Sequence, residues 1–130
     1  FCGDALFSLG CGRMFEGTPA TMLAGLDRLA ALPADTKVCC GHEYTLANAA
    51  FALAVEPGNA ALQRRFQEAK AMRSLHQPSL PSTIGSELAC NPFLRTHTPG
   101  VQAAAARFGA DADRVTVFAA LRRWKDGFTA

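Results

Sequence analysis

The sequence predicts an α/β layer followed by a mostly helical unit, with the division near residue 44. Three observations carry this expectation. Short apolar runs that end in glycine, Phe1-Cys2-Gly3 and Val38-Cys39-Cys40-Gly41, flank a single helical stretch in the first third. Beyond His42, apolar residues recur at helical spacing in several separate segments. Apolar residues make up 49% of the 130 residues, enough to bury a core.

The elements follow in order. A strand end and a turn lead into the glycine-rich loop Gly10-Cys11-Gly12-Arg13-Met14-Phe15-Glu16-Gly17. Thr18 can cap a helix whose first position is Pro19, where a missing N–H costs nothing. Met22, Leu23, Leu26, Leu29 and Ala30 line one face of that helix, and Pro33 stops it. Residues 37–40 read as a short strand. Thr45 is expected to cap a helix running to about Val55, and Glu56-Pro57-Gly58-Asn59 is a turn. Asn59 can cap the next helix, which directs Leu62, Phe66, Ala69 and Met72 to the core. Residues 78–82 are extended, because each proline disfavours helix in the residue before it. A compact segment surrounds Asn91-Pro92-Phe93-Leu94-Arg95. Thr98 and Pro99 open a short helix, and Asp113 caps the last, over residues 114–126.

Composition excludes several classes. A net charge of +2 without a basic tract gives no footprint for nucleic acid. No apolar run approaches the roughly 20 residues of a membrane-spanning helix, and no signal-peptide pattern opens the chain. Cys2, Cys11, Cys39, Cys40 and Cys90 include no Cys-x-x-Cys pair, so they read as small apolar residues in a reducing cytoplasm. Phe1 falls inside a strand pattern, so a longer natural polypeptide that extends upstream is expected.

The chemistry-bearing residues are few. His42 follows a strand and Asp4 follows Phe1-Cys2-Gly3, both at positions where a rigid scaffold presents side chains. Asp oxygen and imidazole nitrogen suit zinc, iron or manganese, although a loop histidine and an ordinary Gly-Asp turn fit the same residues. Arg122 and Lys125 share a face of the final helix. They form either a solvated basic surface near a helix C-terminus or an anion clamp, with Arg13 equally open. His76 and His97 lie in loop-like stretches and read as solvated. Trp124, the single tryptophan, is expected to report on the Arg122–Lys125 face.

Seven segments then occur in a set order. They are Phe-Cys-Gly-Asp-Ala-Leu-Phe, Gly-Cys-Gly-Arg-Met-Phe-Glu-Gly, Cys-Gly-His-Glu-Tyr-Thr, Val-Glu-Pro-Gly-Asn, Pro-Ser-Thr, Asn-Pro-Phe-Leu-Arg and Leu-Arg-Arg-Trp-Lys-Asp. Together they resemble the hydroxyacylglutathione hydrolase (glyoxalase II) family of the metallo-β-lactamase fold, along essentially the whole chain. The resemblance implies that residues 1–43 are the C-terminal part of an αββα catalytic domain and residues 44–130 a helical substrate-binding domain. It implies hydrolysis of S-(2-hydroxyacyl)glutathione, notably S-lactoylglutathione, by a parent enzyme holding two divalent ions (zinc, iron or manganese). Asp4 matches the bridging aspartate and His42 the last histidine ligand. Arg13, Phe15, Tyr44, Arg122 and Lys125 match substrate-binding positions, and Phe15 stands where relatives can carry tyrosine. The family's Thr-His-x-His-x-Asp-His cluster is not among these residues. The chain alone is therefore expected to bind metal weakly or not at all and to be inactive. Its truncated sheet is expected to self-associate. Two other readings are a different enzyme of the same fold (a persulfide dioxygenase or another thioesterase) and a non-catalytic helical interaction module.

Overall fold

The computed structural model of the chain describes residues 1–14 and 17–129. Strands β1 (Leu6–Phe7) and β2 (Gly10–Cys11) form an antiparallel hairpin in which Leu6 faces Cys11 and Phe7 faces Gly10. Strand β3 (Lys37–Val38) pairs antiparallel with β4 (Ser82–Thr83), and a parallel bridge joins Gly3 to Cys40. The strand expected over residues 37–40 is thus regular for only two residues and continues as that bridge. The β3–β4 pairing also fastens the first third of the chain to the helical part.

Six α-helices lie among the described residues: α1 (Pro19–Ala30), α2 (Thr45–Val55), α3 (Ala60–Ser74), α4 (Ile84–Cys90), α5 (Pro99–Ala106) and α6 (Arg114–Asp126). Thr18, Asn59 and Asp113 cap α1, α3 and α6 through their side-chain oxygens. Thr45 does not cap α2. Tyr44 occupies the cap position and offers no side-chain bond, while Thr45 is the first helical residue, its Oγ1 hydrogen-bonded to Ser79 Oγ at 2.7 Å. Helix α4 has no counterpart in the sequence reading, because seven residues with only Ile84 and Leu88 as large apolar groups show no full helical period. It is capped by Thr83, and its Gly85 sits where a Cβ would lie 3.1 Å from the Ala34 carbonyl oxygen. In α3, Leu62 and Ala69 are buried as expected, Phe66 and Met72 are half-buried, and Arg65 is buried beside them.

The core is aromatic. Phe93 packs against Phe51 and Phe118, each at 5.8 Å between ring centroids. Trp124 packs on Phe108 (4.4 Å) and Phe51 (5.1 Å), with the Arg107 guanidinium 5.6 Å from its ring centre. Its ring therefore reports on α2 and on the segment that follows α5, which corrects the expectation that it reports on the Arg122–Lys125 face. The Asn-Pro-Phe-Leu-Arg segment supplies Phe93 to this core. Its Arg95 grips Glu56 with two nitrogens (2.7 and 3.2 Å), pinning the α2–α3 turn.

Beneath the hairpin lies a buried carboxylate. Glu87 is fully buried and accepts from Leu9 N (2.7 Å), Ser8 Oγ (3.0 Å), Ser82 Oγ (2.5 Å) and Asn91 Nδ2 (3.1 Å). Asn91 Nδ2 also donates to Phe7 O and Gly10 O, and Asn48 Nδ2 donates to Ser8 O. These bonds hold the two-residue turn in which Leu9 adopts φ +64°, a left-handed conformation that a leucine takes only under constraint.

Replacing Glu87 with alanine strands several buried donors and releases the strained turn. The expected cost is roughly 3 kcal/mol or more, read from the urea midpoint. Glu68→Ala, which removes an exposed carboxylate 3.2 Å from Arg65, is expected to cost under about 1 kcal/mol.

Candidate functional site

The hairpin, the Gly3–Cys40 bridge and the last two turns of α6 meet around a cavity of about 540 Å³. Asp4 reaches one rim because Gly3 adopts φ +54° and turns the chain out of the bridge. His42 arrives from the neighbouring segment, where Gly41 N donates to Gly3 O at 2.7 Å. The two side chains meet with His42 Nε2 3.3 Å from Asp4 Oδ1, both well exposed. Glycine is required on both sides of this approach. A Cβ at Gly41 would lie 2.5 Å from Asp4 Oδ1, and one at Gly12 would lie 2.1 Å from Asp4 O.

An aromatic wall backs this rim. His42 and Tyr44 stack with centroids 4.8 Å apart and planes 9° from parallel, and Phe7 meets Tyr44 edge-on at 5.0 Å. Asn48, one helical turn beyond Tyr44, and Ala47 complete that side.

The opposite end is cationic. Arg13, Arg122 and Lys125 all line the cavity, but their circumstances differ. Arg122 is buried, and its donors are largely taken: Nη1 bonds Cys11 O (2.9 Å) and Gly12 O (3.2 Å), and Nε and Nη2 bond Asp126 Oδ1. Its guanidinium also lies 5.2 Å from the Phe93 ring centre. Arg122 therefore shapes the wall and contributes charge, with at most one N–H left to give a ligand. Among the described residues Lys125 has no such commitments. Partial burial, and then the nearby Arg122 and Arg13 cations, lower its ammonium pKa. An anion entering the cavity relieves that repulsion.

The structure thus brings together Asp4, Arg13, His42, Tyr44, Arg122 and Lys125. Phe15 lies outside the described residues. His76 and His97 are exposed and remote from the cavity lining. Phe7, Asn48 and Cys11 also line the cavity and were not singled out from sequence. Asn48 carried a readable signal, standing four residues after Tyr44 on one helix face. Phe7 and Cys11 carried none beyond being apolar.

The donor set at the Asp4 rim is an oxygen and a nitrogen, a combination that takes divalent zinc, iron or manganese. Two donors do not close such a site, and among the described residues no cluster of three or more His, Cys, Asp or Glu side chains could hold an ion. The described residues therefore offer metal-type donor chemistry at one rim and no assembled centre.

The family described as "Hydroxyacylglutathione hydrolase C-terminus" matches residues 43–128. The chain belongs to this family. Its match begins at Glu43, one residue after the last donor of the rim, and covers every helix from α2 onward. Hydroxyacylglutathione hydrolase from Xanthomonas campestris pv. campestris (strain B100) is 66% identical over 132 residues, covering 100% of this chain and 52% of that protein. The protein of the same name from Xanthomonas axonopodis pv. citri (strain 306) is 64% identical with the same coverage. That from Xylella fastidiosa (strain 9a5c) is 62% identical over 130 residues, covering 98% of the chain and 50% of the relative. The chain spans about half the length of the curated relatives it matches. No helix among the described residues is long and apolar enough to cross a membrane.

Cys11 gives the site a pH signature. Burial pushes its thiol from 9.0 up to about 11, against the opposing pull of Arg122. A thiol raised on folding stabilises the fold fully below pH 9, and that contribution fades as pH rises toward 11. The expected loss is roughly 3 kcal/mol across that window, measured by urea denaturation at stepped pH. Cys11→Ala should flatten the alkaline limb.

Proposed function

We propose that this chain is the C-terminal part of a binuclear-metal thioester hydrolase that cleaves S-(2-hydroxyacyl)glutathione, S-lactoylglutathione above all, to a 2-hydroxy acid and glutathione. The observation that carries the reading is one cavity with a metal-type donor pair at one end and three cations at the other. A thioester of an anionic tripeptide has the matching polarity, with its carboxylates remote from the reacting carbonyl. The volume, about 540 Å³, is of the size that holds such a ligand.

In this reading residues 1–43 are the end of a metallo-β-lactamase-type catalytic domain and residues 44–130 are the substrate-binding domain. Support comes from the Gly3–Cys40 bridge beside Asp4 and His42, and from the family match that starts at Glu43. Asp4 and His42 would hold part of a pair of zinc, iron or manganese ions through carboxylate oxygen and imidazole nitrogen. Bound there, such ions supply hydroxide near neutral pH and polarise a carbonyl.

The chain's own residues do the rest. Lys125 and Arg13 attract the glutathione carboxylates as point charge and fork, respectively. Arg122 keeps the Cys11–Gly12 backbone in place beside them. Tyr44 and Phe7 offer an apolar wall to the thioether and acyl portions, and the Asn48 amide is tied to Ser8 O and so keeps that wall rigid. Fixing both ends of the substrate converts remote binding energy into orientation at the carbonyl. With two donors only, the chain by itself is proposed to hold metal weakly and to turn over no thioester. The free edge beside the fully exposed Phe1 is proposed to pair with a further strand or with another copy.

The test is calorimetric titration of the chain with S-methylglutathione. Saturable binding is expected, weakened about tenfold by Lys125→Ala and progressively by salt. Arg122→Ala is a poor probe, because it also removes the bonds to Cys11 and Gly12. In the full-length protein, Asp4→Asn should abolish S-lactoylglutathione hydrolysis. Binding indifferent to Lys125, or hydrolysis that survives Asp4→Asn, would sink the reading.

A further inference from the structure

Residues 42–44 form a short link between two fixed points. Upstream, Gly41 N is bonded to Gly3 O; downstream, Tyr44 O accepts from Asn48 N (2.9 Å) in the first turn of α2. Side chains alternate along the link. His42 and Tyr44 stack on the cavity side, and Glu43 points the other way, to Ser79. There Ser79 N donates to Glu43 Oε2 at 2.9 Å, and the Ser79 hydroxyl donates to Oε1.

Ser79 is itself an anchored partner. It is buried, its hydroxyl is bonded to Thr45 Oγ1, and its carbonyl accepts from Arg65 Nη2 at 2.9 Å. The same Arg65 nitrogen donates to Ser8 Oγ (3.2 Å), which in turn donates to Glu87. One continuous set of bonds therefore runs from Glu43 to the buried carboxylate under the hairpin. Among the described residues the His42 side chain has no comparable tether, since its polar contact is the exposed Asp4 at 3.3 Å. Tyr44 is held by ring contacts with His42 and Phe7.

We propose that Glu43 is a positioning residue: its two-oxygen grip on Ser79 sets the backbone of residues 42–44 so that His42 and Tyr44 stack and face the cavity. The residue touches neither substrate nor metal in this account and acts through its two neighbours. The ring geometry is a property of this chain by itself. Its effect on ligand affinity rests on the function proposed above.

The chain contains one tyrosine and three histidines, so the Tyr44 and His42 ring protons are resolvable by NMR. Glu43→Ala should collapse the mutual ring-current shifts of His42 and Tyr44 and remove the cross-peaks between the rings. Phe93 and Phe118 signals should stay in place. Glu43→Gln, which keeps an acceptor for Ser79, should restore most of the stacking. Ser79→Ala, which removes only the hydroxyl, should give an intermediate shift and decides the matter if Glu43→Ala does not fold. S-methylglutathione should bind Glu43→Ala about tenfold more weakly, the cost of re-ordering two side chains on binding, with recovery in Glu43→Gln. Parent-like ring shifts in the folded variants, with only the melting temperature lowered, would make Glu43 a structural tie and overturn the proposal. If the rings unstack but the parent chain binds no glutathione analogue, the functional reading fails and the positioning role stands. If the parent binds and Glu43→Ala neither unstacks nor weakens, the positioning role fails and the functional reading stands.

Discussion

A fully buried carboxylate with four donors around it is expensive to assemble, and the architecture of this chain is arranged to meet that cost. The Glu87 side chain takes its bonds from Ser8 and Leu9 of the hairpin, Ser82 of β4 and Asn91. Those residues lie as much as 83 positions apart in sequence (Ser8 to Asn91), and Asn91 ties them further by donating to Phe7 O and Gly10 O. An unpaired buried charge costs several kcal/mol, so any arrangement that moves one partner away is penalised steeply. The network is thus selective: it stabilises one register of the hairpin against the helices. That register presents Cys11 and Gly12 to Arg122.

The consequences reach the cavity through short steps. A left-handed Leu9 makes the hairpin tight, and the tight hairpin brings Gly12 N to Ala5 O at 3.1 Å. Gly12 then lies under Asp4 so closely that no side chain fits between. Asp4 can therefore stand over the cavity only because the turn below it is strained and clamped. Leu9 stores that strain a few residues from the rim, where precision of placement matters most. Arg122 secures the other side by bonding the carbonyls of Cys11 and Gly12, so the cation end rests on the same Gly12 backbone that lies under Asp4.

Much of this was legible before the structure. Local chemistry located the caps at Thr18, Asn59 and Asp113, since a side-chain oxygen before an apolar period is a short-range signal. Asp4, His42, Arg13, Arg122 and Lys125 were recognised by residue type and order, and they do line one cavity. What stayed hidden depends on long-range partners. Glu87 and Arg65 carried no signal of their own, and nothing nearby in sequence says that Ser8, Ser79 and Asn91 will surround them. Helix α4 is too short to show a period, and its Gly85 argues against a helix until Ala34 is seen to occupy the space a side chain would need. Trp124 was misplaced because adjacency in sequence was taken for adjacency in space. Successive helical positions are about 100° apart, so a residue between Arg122 and Lys125 faces elsewhere.

The division of labour among the three cations follows from one carboxylate. Asp126 stands four residues after Arg122 and takes its Nε and Nη2, an i, i+4 pairing on the last turn of α6. Had Asp126 paired with Lys125 instead, the ammonium would have been neutralised within the protein and Arg122 left with spare donors in a buried place. As it stands, the planar guanidinium spends its fork on fixed backbone and carboxylate partners, where its geometry is an advantage. The Lys125 ammonium is partly buried and lies near the Arg122 and Arg13 cations, and burial first and those charges second lower its pKa. The cation end of the cavity therefore sets a committed guanidinium beside a partly buried ammonium, and the two are told apart by their partners, not by their charge.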